Sequence, residues 1–129
     1  MHNCKVCQRI TNNGCSKCQA MYYCCTSCQI VDWTFSHKNE CKKMRKKVLS
    51  IIKLTHKLYI NKPNTNIDTI NNFVDTINSF ENNEPIPISP IIRSEMTILN
   101  NDFNNGHYQI YKDIWNDTIT DFNLHLLFD

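Results

Sequence analysis

Apolar and polar positions change their rhythm several times along this chain. Up to residue 41 they keep no regular period. Most of the large side chains there (Met21, Tyr22, Tyr23, Ile30, Val31 and Trp33) fall within residues 19–33. Tyr22-Tyr23 reads as a short strand leading into Cys24. From about Ser36 a helical spacing sets in, and Val48, Ile51, Ile52, Thr55, Leu58 and Tyr59 recur at three- and four-residue steps on one face. Lys42, Lys43, Lys46, Lys47, Lys53 and Lys57 occupy most of the rest. This helix is expected to stop near Asn61, ahead of Pro63. A second helix is predicted over residues 67–80, with Ile67, Ile70, Phe73, Val74, Ile77 and Phe80 on one side and Thr65 or Asn66 as its cap. Residues 81–90, ENNEPIPISP, read as a proline-rich linker or extended arm.

Beyond the linker, Ser89-Pro90 resembles a helix start, and Ile92, Met96, Leu99 and Phe103 predict a helix over 90–103. Residues 107–128 stay open between helix and hairpin, because Phe122, Leu124, Leu126 and Phe128 alternate as a half-buried strand would. Asn104-Asn105-Gly106 is a turn in either case. The chain shows no internal repeat.

A segment of about 40 residues with so few apolar side chains needs metal or disulfides to fold. All eight cysteines lie before residue 42. They come mostly in C-x-x-C pairs, which chelate metal more naturally than they bridge each other, and Met1-His2-Asn3-Cys4 runs straight into the first pair without an apolar leader. A reduced, intracellular zinc protein is therefore expected, with nucleus and cytoplasm undistinguished. No apolar run approaches the roughly 20 residues of a membrane span.

The ligand pattern is Cys4-x2-Cys7, Cys15-x2-Cys18, Cys24-x3-Cys28, His37-x3-Cys41. Two-residue gaps let a tight knuckle aim both thiolates at one metal, and three-residue gaps set two ligands one turn apart on a helix. Eight ligands fill two tetrahedral zinc sites and leave no open corner for catalysis. Spacing alone permits consecutive or interleaved pairing. Cys25 reads as a bystander beside a ligand and His2 as a solvated terminal residue.

Tyr23-Cys24, Cys28-Gln29, Asp32-Trp33 and the His37-x3-Cys41 ending resemble the MYND-type zinc finger, and the resemblance covers nearly all of residues 4–41. It implies an interleaved cross-brace: Cys4, Cys7, Cys24 and Cys28 on one Zn2+, and Cys15, Cys18, His37 and Cys41 on the other. It also implies docking of short proline-containing peptides from partner proteins, with Gln29 and Trp33 in the groove. Three residues separate Trp33 from His37, where the family usually has two, which bears on the local helix geometry.

The expected organisation is a zinc finger over 1–41, a basic amphipathic helix over 42–60, and an acidic Asn/Ile-rich tail over 61–129 with its linker at 81–90. Residues 1–60 carry eleven Lys/Arg against Asp32 and Glu40, or +9, while residues 61–129 carry Lys62, Arg93 and Lys112 against ten acids, or −7. Two zinc ions on seven thiolates lower the first figure to about +6. The basic run at residues 42–47 makes nucleic-acid binding through helix 42–57 the main alternative to a protein adapter. It has no aromatic ladder for base stacking. The two glycines, Gly14 and Gly106, supply no cofactor-binding loop, so no enzyme is expected. The proline segment at 85–90 is itself a candidate ligand for the groove.

Overall fold

The computed structural model describes residues 2–84 and 88–121. Two tight cysteine loops of the same design form the base of the finger. In the first, β1 (His2–Asn3) pairs antiparallel with β2 (Ile10–Thr11), in the register His2 to Thr11 and Asn3 to Ile10. Between them Gln8 turns into the left-handed region at φ 68°, and its N–H donates to the Cys4 carbonyl at 3.0 Å. In the second loop Gln19 does the same at φ 61°, its N–H donating to the Cys15 carbonyl at 3.0 Å. Each is thus a Cys-x-x-Cys-Gln knuckle whose glutamine reverses the chain. Left-handed backbone is uncommon for a residue with a Cβ. The Gln19 side chain helps hold its turn by donating to the Ser16 carbonyl at 2.9 Å.

The strand expected at Tyr22-Tyr23 is reduced to a single bridge between Gly14 and Tyr22. The paired strands lie at His2–Asn3 and Ile10–Thr11, two residues each, too short to show alternation. His2 is not solvated: it is buried and its ring stacks on Tyr22, with centroids 3.8 Å apart.

Helix begins well before Ser36. It runs through α1 (Thr26–Asp32), a π-helical turn at Trp33–His37, and α2 (Lys38–Tyr59) without a break. The early start escapes the apolar pattern because Ile30, Val31 and Phe35 are exposed, Phe35 to 83%. α1 buries Asp32, whose carboxylate accepts the Tyr23 hydroxyl at 2.6 Å. The π turn absorbs the extra residue between Trp33 and His37. In an α-helix four residues overshoot a full turn by about 40°. The wider π winding removes that overshoot, so His37 faces inward while Trp33 stays half-buried at the surface.

α2 is the central strut. Its buried residues Cys41, Met44, Arg45, Val48, Ile51, Ile52, Thr55, Leu58 and Tyr59 keep the helical step throughout. Around it pack α3 (Ile67–Glu81), α4 (Pro90–Asn104) and α5 (Gln109–Asp121). Of the two candidate caps on α3, Asn66 is used, accepting from the Asp68 and Thr69 N–H groups at 2.8 and 3.4 Å. Ser89 caps α4 with Pro90 in the first turn. Gly106, at φ +88°, closes the turn after α4. Residues 109–121 are helical. The alternating Phe122, Leu124, Leu126 and Phe128 lie outside the described residues, as do Pro85, Ile86 and Pro87. Trp115 is fully buried and its indole N–H donates to Asn100 Oδ1 at 2.9 Å. Phe73, Ile92, Met96, Phe103, Trp115 and Ile119 continue a hydrophobic core that reaches Cys15, Cys18 and Cys41. Finger and tail therefore share one interior.

Candidate metal centres

The fold gathers the eight ligand side chains into two groups, each with its donor atoms within 4.8 Å of one another. The first joins the Cys4/Cys7 knuckle to Cys24 and Cys28, which flank the start of α1. The second joins the Cys15/Cys18 knuckle to His37, which ends the π turn, and Cys41 in the first turns of α2. The pairing is interleaved: each knuckle skips its sequence neighbour. All four donors of the second group are buried; in the first only Cys4 is.

The spacings fit zinc. A tetrahedron with Zn–S bonds of about 2.3 Å has S···S edges of about 3.8 Å, and one with a Zn–N bond of about 2.0–2.1 Å has S···N edges of about 3.6 Å. Cys15 and Cys41 sulfurs stand 3.8 Å apart, and Cys18 Sγ is 3.6 Å from His37 Nε2. In the first group the Cys24–Cys28 and Cys7–Cys24 separations are 3.5 and 3.3 Å. His37 offers Nε2 to the metal, since this is the ring nitrogen that stands 3.6 Å from Cys18 Sγ, while Nδ1 is buried with no hydrogen-bond partner among the described residues. Packing orients the ring instead, with the Trp33 and Tyr23 rings edge-on at 5.7 and 6.1 Å.

The electrostatics also call for a cation. Hydrogen bonds from Cys18 and Cys41 hold the Cys15 thiol far below its ordinary range, while the same contacts with Cys15 and Cys41 push Cys18 far above it. Burial works against the charged imidazole of His37, yet the Cys15 and Cys41 thiolates raise it to about 9. Four donors competing for protons in a buried site are relieved when a dication replaces those protons. Four protein ligands per zinc leave no coordination position for water, so the ions brace the fold. Cys25 is exposed and stands outside both groups, its sulfur 3.7 Å from Cys24 Sγ.

Gln29 and Trp33 lie one turn apart where α1 enters the π turn, both half-buried. Trp33 lines a cleft of about 520 Å³ between the finger, α2 and the end of α3; Gln29 does not line it. The Lys17 ammonium sits over the Trp33 ring, 5.9 Å from its centroid.

The basic run at 42–47 is not one solvated face, since Met44 and Arg45 are buried. Arg45 is the residue that sequence reasoning passed over. Its Nη2 donates to the carbonyls of Ser79, Phe80 and Glu84 at 3.1, 3.3 and 2.8 Å, and its Nε to Phe80 O at 3.4 Å. Nη1 donates to the Lys17 carbonyl of the second knuckle, and the guanidinium lies 4.4 Å from the Phe80 ring centroid. Arg45 thereby ties the finger to the C-terminal end of α3, where a cation also meets the negative end of the helix dipole. A signal was present: position 45 falls within the buried stripe that runs from Cys41 through Met44 to Val48.

The MYND finger family matches residues 4–41. Ubiquitin carboxyl-terminal hydrolase 19 of Arabidopsis thaliana is 43% identical over 42 residues, which is 33% of this chain and 6% of that protein. Hydrolases 17 and 16 of the same plant are 40% identical over 42 residues and 44% identical over 39 residues, covering 33% and 30% of this chain. The chain spans only 6%, 6% and 4% of the length of these three relatives. No solved structure matches the chain.

Proposed function

We propose, from the premise that residues 4–41 are a MYND finger and so a protein-interaction module, that the chain is an adapter docking short proline-containing segments of partner proteins. The carrying observation is Trp33, held half-exposed beside the second metal site by the π turn and edge-on to the ligand His37. An indole face is a good platform for proline rings, and the Gln29 amide one turn earlier can pair with an extended peptide backbone. The shared segment with the hydrolases is confined to the finger, so their named activity is not carried to this chain, and we propose no catalytic role. The nucleic-acid alternative would rest on the exposed lysines of α2 alone, because Arg45 is buried and its guanidinium is engaged with backbone carbonyls. Of the proline segment, Ile88 is buried, Ser89 caps α4 and Pro90 begins it, so these three residues are engaged within the chain. Thiolate ligands need a reducing compartment, and we place the protein inside the cell. The test is a partner pull-down with the wild-type chain beside a Trp33→Ala, Gln29→Ala double variant whose zinc content is checked by native mass spectrometry. The variant should keep two zinc ions and lose its partners. An unchanged partner set refutes the groove.

A further inference from the structure

The cleft beside Trp33 has two unlike sides. On one, α2 presents Lys38, Lys42 and Lys46, with Lys17 of the second knuckle nearby; on the other stands the end of α3 with Phe80 and Glu81. The three α2 lysines are exposed, and none makes an ion pair among the described residues. Spaced four residues apart, they stand about 6 Å from one to the next along the axis and repel each other. Nothing within the described residues relieves that repulsion: Glu81 is already held by Lys53 at 2.8 Å. Arg45 lines the cleft too, but its donors are spent on backbone carbonyls.

We infer that this cleft takes an extended acidic segment of a partner protein, with carboxylates at alternate positions along the lysine row and proline or other apolar side chains against Trp33 and Phe80. The inference rests on the peptide-docking reading above and names the class of peptide. Same-face side chains of an extended strand repeat every 6.4–6.8 Å or so, close to the pitch of the lysine row. The intervening side chains point the other way, towards a wall that offers no free cation. That wall is Phe80 and the Lys53-paired carboxylate of Glu81, beside the end of α3 whose carbonyls Arg45 already occupies. A nucleic-acid strand lacks this two-faced character and would set phosphates near Glu81. Lysines act as mobile point charges, so the row selects density of carboxylates more than one fixed geometry.

The test uses the full zinc-loaded chain and fluorescence anisotropy with two labelled peptides, Asp-Pro-Asp-Leu-Asp-Pro-Asp and its counterpart with asparagine at each aspartate. The acidic peptide should bind about tenfold more tightly at low salt, and the ratio should shrink as salt screens the exposed pairs. A Lys38→Gln, Lys42→Gln, Lys46→Gln variant, shown by circular dichroism to be folded, should lose the difference between the two. Trp33→Ala should weaken both peptides. Equal affinities in the wild type, with sensitivity to Trp33 retained, overturn the acidic class and leave the docking reading standing. Indifference of both peptides to Trp33→Ala overturns the docking reading itself, as does failure of both peptides to bind. A single-stranded oligothymidylate that displaces the acidic peptide at lower concentration than the unlabelled peptide does also overturns the inference, in favour of nucleic acid.

Discussion

Replacing Arg45 by alanine should cost far more stability than loss of an exposed helix lysine, because it removes the clamp between finger and tail. The side chain is 6% exposed and reaches the carbonyls of Lys17, Ser79, Phe80 and Glu84. A hydrogen bond from a charged donor contributes about 1.5–3 kcal/mol net. The bonds to Glu84 and Ser79, at 2.8 and 3.1 Å, are well formed, whereas the Phe80 carbonyl shares two long contacts at 3.3 and 3.4 Å. Counting two to three full bonds, and allowing water from the adjoining cleft to rehydrate some carbonyls, the loss comes to about 3–4 kcal/mol. For a chain of this size that lowers the melting temperature by roughly 10–15 °C. The assay is thermal unfolding followed by far-UV circular dichroism, with zinc in modest excess and metal content read by native mass spectrometry. Arg45→Ala should keep both zinc ions, since no ligand is touched. Arg45→Lys should recover only part of the loss, because an ammonium cannot span four carbonyls as a planar fork does. A melting temperature within about 2 °C of wild type for Arg45→Ala, or full recovery by lysine, would refute the clamp.

Three further outcomes follow from the same geometry. Burial raises the Cys4 thiol, but the backbone N–H groups of Cys7, Cys24 and Val6 outweigh it and hold the group at about 6 against an ordinary 9.0. A depressed thiol adds stability that is whole above the unfolded value and fades as pH falls towards the folded one, so zinc should be held at neutral pH and released on acid titration. A chromophoric chelator follows this, and complete release at neutral pH would contradict it. Deleting Thr34 should convert the π turn to plain α-helix and still give two zinc ions by native mass spectrometry, whereas adding one residue there should lose the His37 site; loss of zinc in the deletion speaks against the account. Trp115→Ala should cost about 3–5 kcal/mol in urea unfolding, through the cavity it leaves and the Asn100 amide it strands, and a cost under 1 kcal/mol would show that α5 does not belong to the core.

Much of the molecule can be read from local chemistry. The ligand residues declare themselves by type and spacing, because a knuckle or a helical turn brings two donors together over a few residues. The faces of α2, α3 and α4 follow from three- and four-residue periodicity. The caps at Asn66 and Ser89 follow from side chains that reach their own backbone. The helix over Thr26–Asp32 is signalled only by the Cys24-x3-Cys28 spacing, which does not give its extent, because its exposed Ile30 and Val31 make no apolar stripe.

By itself, then, the sequence determined which eight side chains could hold metal, where the long helices run and which faces they bury, since each depends on neighbours within about one turn. Tertiary structure alone decided that the knuckles pair crosswise, that a π turn swings His37 back into line, and that Arg45 leaves a lysine-rich run to bind Lys17 and the end of α3. It also decided that Trp115 fills the core from the far end of the chain. Each of these depends on a contact between distant segments, where the free energy of desolvating a donor, an indole or a guanidinium is set by a partner that no local pattern names.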